Sequence, residues 1–211
     1  MRLKADNIKF GYTGNHQVLN HVDFTVEEGE VTGLIAPSGY GKTTLAKILA
    51  GYIKPEQGTV YLEERDDEGN YVRLDLPKGY NPVQLIFQHP EKAVNPKWKM
   101  KKVLEEIGMP TKVMLDAAGI KEEWLNRWPA ELSGGELQRF CVVRTLNEKT
   151  RFLIADEMTT MLDAITQAQI WNLVLDYAKT HQMGIVVISH EKELIHRLCS
   201  RVVWLEKINE K

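Results

Sequence analysis

Short apolar runs with strand-like spacing dominate the first 80 residues of the chain. Runs of this type lie at residues 3–10, 22–26, 31–35, 59–62 and 71–74, the last two flanking an acidic turn as in a hairpin. Residues 42–52 have helical spacing instead, because Leu45, Ile48 and Leu49 fall on one face before Gly51. The pattern predicts a β-rich N-terminal portion with one helix after its third strand.

The pattern becomes helical between about residues 99 and 147, where glycine and proline separate the segments and no strand is predicted. Beyond this region, residues 152–155 and 185–188 form short apolar runs without alternation, separated by a long helical pattern. Parallel strands buried on both faces and joined by a crossover helix have this pattern. We therefore predict an α/β fold with a mainly parallel sheet, an N-terminal antiparallel β subdomain and a helical subdomain inserted at about residues 92–147.

Composition and charge narrow the classes of function. The 211 residues are expected to form a single domain, 1–211, and no apolar run approaches the roughly 18 residues of a membrane span. Any membrane association is therefore expected through a partner. A formal charge of -2 offers no overall attraction for nucleic acid. The first ten residues contain no apolar leader, and Cys141 and Cys199 lie far apart, which together favour a reducing cytoplasm.

A candidate phosphate-binding loop lies between the third predicted strand and the first predicted helix. Its sequence, APSGYGKTT at residues 36–44, ends as the pattern G-x-x-x-x-G-K-S/T requires but begins with alanine. A methyl group at Ala36 is tolerable where φ is negative, whereas a side chain at Gly39 or Gly41 would crowd the phosphates. The flanking strand and helix favour a phosphate loop over the alternative, a glycine-rich turn with an incidental lysine.

This loop would bind a nucleotide through its backbone and two of its side chains. Backbone N–H groups and the helix N-terminus would surround phosphate oxygens, Lys42 would reach the β- and γ-phosphates, and Thr43 would ligate Mg²⁺. The predicted nucleotide contacts in this segment are Ser38, Gly39, Tyr40, Gly41, Lys42, Thr43 and Thr44.

The sequence RFLIADE at residues 151–157 supplies two acids directly after a predicted strand. Hydrolysis at a phosphate loop needs a carboxylate on the metal and a group that positions the attacking water. Asp156 would hold Mg²⁺ at the carboxyl end of the strand, and Glu157 would act as general base. Two acids at the N-terminus of a helix are the alternative, which would be preferred if the phosphate loop were absent.

The sequence LSGGELQR at residues 132–139 separates families of nucleotide-binding proteins. The phosphate loop corresponds to a Walker A motif and RFLIADE to a Walker B motif. Together with these two, LSGGELQR makes the chain resemble the nucleotide-binding subunit of an ATP-binding cassette (ABC) transporter, in which LSGGQ-like sequence is the signature motif. The resemblance covers nearly the whole chain. It implies a P-loop NTPase core, ATP and Mg²⁺ as ligands, and ATP hydrolysis coupled to transport.

Four further residues fall where that family has functional positions. Tyr12 resembles the A-loop aromatic that stacks on adenine, and Gln88 resembles the Q-loop glutamine that senses the metal and the transporter. Asp163 falls in the D-loop, and His190 resembles the switch histidine that holds the γ-phosphate and the attacking water. Taken alone, each has a simpler interpretation: a half-buried aromatic, a polar residue at a strand end, a helix N-cap and a loop histidine.

Ser133, Gly134 and Gly135 lie at the start of a helix predicted over residues 136–146, where they form a second anion-binding surface. The resemblance implies that this surface covers the γ-phosphate bound to the phosphate loop of another subunit. A second ABC ATPase subunit is therefore an expected partner, in a homodimer or a heterodimer.

Two segments resemble stretches of the importers for dipeptides, oligopeptides and nickel or related metal chelates: QHPEKAVNPKWKM and RWPAELSGGELQR. Sequences related to the first segment also occur in vitamin and cobalt uptake ATPases. The resemblance implies transmembrane permease subunits as partners, an extracytoplasmic solute-binding protein indirectly, no nucleic acid, and a place at the cytoplasmic face of the cell membrane. The rival function is a non-transport ABC ATPase acting on nucleic acid or the ribosome. Such proteins usually carry a long coiled-coil insertion or two cassettes in tandem, and this sequence has neither.

Trp98, Trp124 and Trp128 lie in the helical region, close to four lysines. Two interpretations remain open: an aromatic interface for the transmembrane subunits, or a small helical core beside a solvated lysine face. The chain also departs from the family pattern at Ala36, at Met158 and in its D-loop at residues 160–161, and none of these changes removes a charge or a ligand.

Overall fold

The computed structural model describes residues 1–12, 16–77 and 79–209. Within these residues the strands are β1 (Arg2–Tyr12), β2 (His16–Glu27), β3 (Val31–Ile35), β4 (Gln57–Arg65), β5 (Tyr71–Leu74), β6 (Val83–Ile86), β7 (Phe152–Asp156), β8 (Gly184–Ile188) and β9 (Arg201–Trp204). The α-helices are α1 (Lys42–Leu49), α2 (Met100–Glu105), α3 (Lys112–Ala117), α4 (Gly134–Thr145), α5 (Ala164–His181), α6 (Lys192–Leu198) and α7 (Leu205–Ile208). Three 3₁₀ turns lie at Pro90–Lys92, Glu122–Asn126 and Pro129–Glu131.

The central sheet has five parallel strands in the order β6-β7-β8-β3-β9. Every residue of β7 and β8 is buried, which explains why their sequences are continuously apolar rather than alternating. Because parallel strands share one carboxyl edge, the segments that follow β3, β6, β7 and β8 meet there. The predicted α/β fold with a mainly parallel sheet is confirmed.

An antiparallel sheet of four strands, in the order β2-β1-β4-β5, packs beside the parallel one. The predicted hairpin around the acidic turn is confirmed as the β4–β5 pair. Strand β2 begins at His16, earlier than the predicted residues 22–26. The prediction missed its first part because His21 has a φ of +52° where the register shifts, which interrupts the alternation of apolar residues. Strand β6 was not predicted, because it has only four residues and includes the polar Gln84.

Residues 99–147 contain short helices and 3₁₀ turns but no strand, as predicted. Helix α4 provides the main buried surface of this region, with Phe140, Val142 and Val143 in the core that also covers one face of the parallel sheet. Within the described ranges, no helix combines the length and the apolar composition that a membrane crossing requires.

Gly58 allows β1 and β4 to approach each other where their register shifts. A Cβ at this position would lie 2.5 Å from the carbonyl oxygen of Asp6 and would also overlap Asn7, and the backbone has a φ of +86°. We expect Gly58→Ala to lower the free energy of unfolding by roughly 3 kcal/mol, measured by urea denaturation. Gly69 is a matched control, because it has a φ of +87° and nothing within 4 Å of a built Cβ. Gly69→Ala should cost only about 1 kcal/mol, and equal losses would contradict the steric argument.

Candidate active site

The candidate phosphate loop joins β3 to α1 at the carboxyl edge of the parallel sheet. Gly39 and Gly41 have φ values of +74° and +104°, in the left-handed region that favours glycine. Gly41 directly precedes α1, and a Cβ there would lie 2.8 Å from Cγ1 of Val18. The loop therefore needs glycine at both positions for its backbone alone, before any ligand is considered.

Ala36 fits the loop without backbone strain. It is buried in the apolar core and is not among the four described non-glycine residues that have a positive φ. Its carbonyl oxygen accepts a hydrogen bond from Nζ of Lys42 at 2.8 Å, and the carbonyl of Pro37 accepts a second at 3.0 Å. These two bonds hold the lysine ammonium against the loop.

The Lys42 ammonium and the Asp156 carboxyl group are both largely buried, and their opposite charges interact. Burial lowers the pKa of Lys42, whereas the charges of Glu157 and Asp156 oppose this shift. Burial also raises the pKa of Asp156, the last residue of β7, although a hydrogen bond from Thr43 opposes the shift. A charge that enters this part of the site would interact strongly with both groups, because the local dielectric is low.

Glu157 receives polar side chains from two neighbouring strand ends. Nε2 of Gln88, two residues after β6, donates to its Oε2 at 2.5 Å, and Nε2 of His190, two residues after β8, lies 2.6 Å from its Oε1. The Glu157 backbone has a φ of +51°, which costs about 1–3 kcal/mol for a residue with a side chain. Its N–H donates to the carbonyl of Ile188 at 2.9 Å, which holds this conformation. The structure thus brings Gln88, Glu157 and His190 together.

Lys42, Gln88, Glu157 and His190 line one cleft of about 500 Å³. Its wall consists of Tyr12, Val18, Ser38, Gly39, Gly41, Lys42, Thr43, Thr44, Gln88, Glu157 and His190. The side chain of Tyr12 is half exposed, and its hydroxyl lies 3.3 Å from the hydroxyl of Thr44. Tyr40 is absent from this wall in the described part of the chain and packs against the apolar core instead. Val18 was not predicted, because no motif distinguishes it from other apolar strand residues.

The start of α4 forms a separate face. Ser133 caps the helix: its Oγ accepts from the Glu136 N–H at 3.2 Å, and Oε2 of Glu136 accepts from the Ser133 N–H at 2.7 Å. A Cβ at Gly134 would lie 3.1 Å from Sδ of Met161, so the D-loop lies against the signature glycines. Neither Ser133 nor the two glycines belong to the described wall of the cleft.

Asp163 also lies outside the described wall of the cleft. Its Oδ1 accepts from the backbone N–H groups of Ile165 at 3.1 Å and Thr166 at 3.0 Å, so it caps α5. Tyr40 and Asp156, the last residue of β7, are likewise not in the described wall. The structure therefore places the other predicted site residues on two surfaces of one chain. One surface is the cleft, and the other contains Ser133, Gly134, Gly135 and Asp163.

A protein-family model described as ABC transporter matches residues 19–160, more than half of the chain. The chain belongs to the ABC transporter ATP-binding family. Members of this family are ATP-binding subunits with an ATPase domain, so this ABC subunit is an ATP-binding and ATP-hydrolysing protein.

Known proteins resemble this ABC subunit along almost all of its length. Two relatives from strains of Staphylococcus aureus, both named nickel import system ATP-binding protein NikE, are 32% and 31% identical over 217 residues. Each alignment covers 97% of this chain and 86% of the relative.

Two solved structures have the same fold as the ABC subunit. The ATP-binding subunit of an ABC transporter has a TM-score of 0.79 at 22% identity, covering 97% of this chain and 85% of the other. An ATP-binding cassette in a dimeric post-hydrolysis state, bound to ADP and Pi, has a TM-score of 0.77 at 23% identity, covering 96% and 93%. At these identities the likeness concerns the fold alone.

Two of the departures of this ABC subunit from its family pattern lie in the segment after Glu157, at Met158 and at residues 160–161. Met158 is buried in the core that includes α4, where its side chain fills space in the apolar interior. Thr159 accepts hydrogen bonds from Nε2 of Gln167 at 2.8 Å and Nε1 of Trp171 at 3.2 Å, and Oγ1 of Thr160 donates to the Glu157 carbonyl at 3.1 Å. The segment after Glu157 is thus held by side-chain hydrogen bonds.

Proposed function

We propose that this ABC subunit binds ATP with Mg²⁺ in the cleft, hydrolyses it with Glu157 as general base, and powers the import of a small solute through membrane permease subunits. The observation that carries the proposal is the convergence of Gln88 and His190 on the Glu157 carboxylate, at 2.5 Å and 2.6 Å. A general base acts only when it is held within hydrogen-bond reach of the group it deprotonates. Two partners from different strand ends fix the direction of this carboxylate.

The main side chains of the cleft have distinct roles in this proposal. Lys42 and the loop amides would bind the β- and γ-phosphates, and Tyr12 would stack on the adenine. Glu157 would accept a proton from the attacking water. His190, whose side chain is 54% exposed, would hold the γ-phosphate and that water. Gln88 would connect the base to the metal and to the permease.

Oxygen donors in the cleft and directly beside it fit Mg²⁺. The hydroxyl of Thr43, the carboxylate of Asp156 and the side-chain oxygen of Gln88 are hard ligands of the type that this ion prefers. Burial raises the pKa of Asp156, and a neighbouring dication would keep this group ionised. When bound, Mg²⁺ would neutralise charge on the phosphates.

A second ABC ATPase subunit, identical or different, would complete the site. Ser133 and Gly134 are exposed at the start of α4, where backbone N–H groups can bind an anion. Because this face lies outside the cleft of its own chain, we propose that it covers the γ-phosphate held by a partner. Gly135 and Asp163 would take part in the same contact.

The transported solute is proposed to be nickel, another metal chelate or a peptide, delivered by an extracytoplasmic solute-binding protein. The relatives named nickel import proteins support the metal, and the sequence around Gln88 supports the wider importer group. The subunit would then lie at the cytoplasmic face of the cell membrane. Purification from its own membranes tests this: a co-purifying permease and ATPase activity stimulated by the solute are expected. Recovery with ribosomes or nucleic acid instead would overturn it.

The tryptophans of the helical region divide between a core and a surface. Trp124 is 6% exposed and belongs to the apolar core, whereas Trp128 is 40% exposed and Trp98 is half-buried. The ammonium of Lys102 lies 4.5 Å from the ring centroid of Trp98, and that of Lys99 lies 5.8 Å from that of Trp128. These four side chains line one open cleft, which is the proposed contact with the permease.

We expect the double change Trp98→Ala and Trp128→Ala to reduce recovery of the permease complex at least tenfold. A tryptophan buried in an interface often contributes about 2 kcal/mol or more to the free energy of binding. ATP binding by the variant should be unchanged. Co-purification and nucleotide titration measure the two effects. Trp204→Ala, at another exposed tryptophan, should preserve assembly. Trp124→Ala should instead lower stability by about 3–5 kcal/mol, and wild-type assembly by the double variant would argue against this surface.

A further inference from the structure

Gln138 is a polar residue in the buried face of the signature helix α4. It lies three residues after Gly135 and is only 1% exposed, between Leu137 and the buried residues that follow. Its Nε2 donates to the backbone carbonyl of Phe87 at 3.2 Å. A carbonyl oxygen only accepts hydrogen bonds, so the amide nitrogen must face Phe87 and the amide oxygen must face away.

The other end of this amide has no partner. Oε1 of Gln138 is buried and makes no hydrogen bond within the described part of the chain. An unpaired buried polar atom costs about 1–3 kcal/mol, which offsets the roughly 0.5–1.5 kcal/mol that the bond to the Phe87 carbonyl contributes. Stability alone therefore does not explain a glutamine at this position.

The Phe87 carbonyl lies directly before the residue that contacts the candidate base. Strand β6 ends its pairing with β7 at Ile86, so the chain at Phe87 and Gln88 has left the ladder of the sheet. Gln138 holds the first of these two residues, and the second donates to Glu157 at 2.5 Å. A short path of one peptide unit and two side-chain hydrogen bonds thus connects α4 with the Glu157 carboxylate.

We propose that Gln138 is a positioning residue, which fixes the Phe87 carbonyl and thereby holds Gln88 against Glu157, so that a movement of the signature helix reaches the base of the same chain. The inference rests on the proposed role of Glu157. A side chain that is displaced by about 1 Å from its working geometry can cost up to 10²-fold in rate, although no reacting group is removed. Loss of one fixing bond is therefore expected to lower kcat more than it alters the binding of ATP.

The test is Gln138→Met, which keeps the length and shape of the side chain but removes both the donor and the unpaired oxygen. For the ATPase complex purified from its own membranes, we expect kcat to fall about tenfold, with KM for ATP within twofold of wild type. The melting temperature of the variant should be close to that of wild type, because removal of the unpaired oxygen offsets loss of the donor to the Phe87 carbonyl. A purely structural glutamine would not give lower turnover with undiminished stability.

Gln169→Met is the matched control. Nε2 of Gln169 also donates from a helix to a backbone carbonyl, that of Ala117 at 2.8 Å, but this residue is not in the described wall of the cleft. Its loss should leave kcat unchanged. A double-mutant cycle with Gln88→Ala tests the route: the double variant should be no slower than Gln88→Ala alone, because Gln138 acts through Gln88.

Three results would overturn the inference: wild-type kcat in Gln138→Met, a loss of kcat that parallels a loss of thermal stability, or additive losses in the cycle. Failure of the proposed function is distinguishable from these. In that case the wild-type complex hydrolyses no ATP, or Glu157→Gln hydrolyses it at the wild-type rate. If hydrolysis depends on Glu157 while Gln138→Met is fully active, only the role of Gln138 is rejected.

Discussion

Replacing Glu157 by glutamine is expected to lower the rate of ATP hydrolysis by about 10²- to 10⁴-fold while ATP binding is retained. Glutamine has the same shape but cannot take a proton from water, and the neighbouring amide of Gln88 and ring of His190 remain in place. Release of phosphate and equilibrium binding of ATP measure the two properties. Retention of the nucleotide should also trap the ATP-bound assembly, and a variant that fails to pair with itself in ATP would point to a heterodimer.

The chain provides a matched control for this change. Glu91 also faces a histidine, with its Oε1 3.4 Å from Nδ1 of His89, but this pair is not in the described wall of the cleft. Glu91→Gln should hydrolyse ATP at the wild-type rate. Rapid hydrolysis by Glu157→Gln would show that another group activates the water.

Lys42→Ala is expected to weaken ATP binding about 100-fold, which corresponds to about 2.8 kcal/mol. The ammonium is held by the carbonyls of Ala36 and Pro37, at the centre of a loop whose amides would surround the phosphates. Its removal takes away both a charge-assisted hydrogen bond and the positive charge that opposes the phosphates in a partly dehydrated site. Calorimetric titration with ATP measures the change.

Lys47→Ala removes the same charge near the other end of α1, outside the described wall of the cleft, and should bind ATP like wild type. Ala36→Gly should also bind normally, because the alanine side chain lies in the apolar core and its backbone needs no positive φ. Unchanged affinity in Lys42→Ala would contradict the placement of the phosphates in this loop.

Most of the architecture follows from patterns that burial imposes on sequence. The unalternating runs of β7 and β8 predict buried parallel strands, because both faces of these strands are covered. The positive φ of His21 concealed the first part of β2, since a bulge breaks the period of two on which the prediction depends. Strand β6 was too short to distinguish from a buried turn without its neighbour β7 in place.

Some features of the candidate site follow from one short segment of sequence, whereas others depend on residues that are distant in the chain. The loop around Lys42 and the acids after β7 could be predicted, because their chemistry lies within one short segment each. Tyr40 is predicted to contact the nucleotide from its position in the loop, and that contact stays a prediction. Its ring packs against the apolar core, a placement that the loop sequence alone does not show. Trp124 and Trp128 have similar sequence surroundings, yet one is buried and the other exposed.

The contact of Gln138 with Phe87 depends on residues 51 positions apart. A glutamine at this place in the signature motif is part of the family pattern, but the motif alone does not show which residue its side chain contacts. The left-handed backbone of Glu157 was equally invisible, because no local rule places a glutamate at positive φ.

The separation of the cleft from the signature face determines which subunit's active site a mutation in this chain would damage. In the proposed dimer, a change at Ser133 leaves the mutated chain able to hold ATP but damages the site of whichever subunit it joins. A mixed dimer would then keep one intact site, formed by the cleft of the mutated chain and the signature face of the normal chain. A change at Lys42 would instead empty the cleft of its own chain, while its signature face still served the neighbour. The two surfaces of one polypeptide therefore belong, in genetic terms, to different active sites.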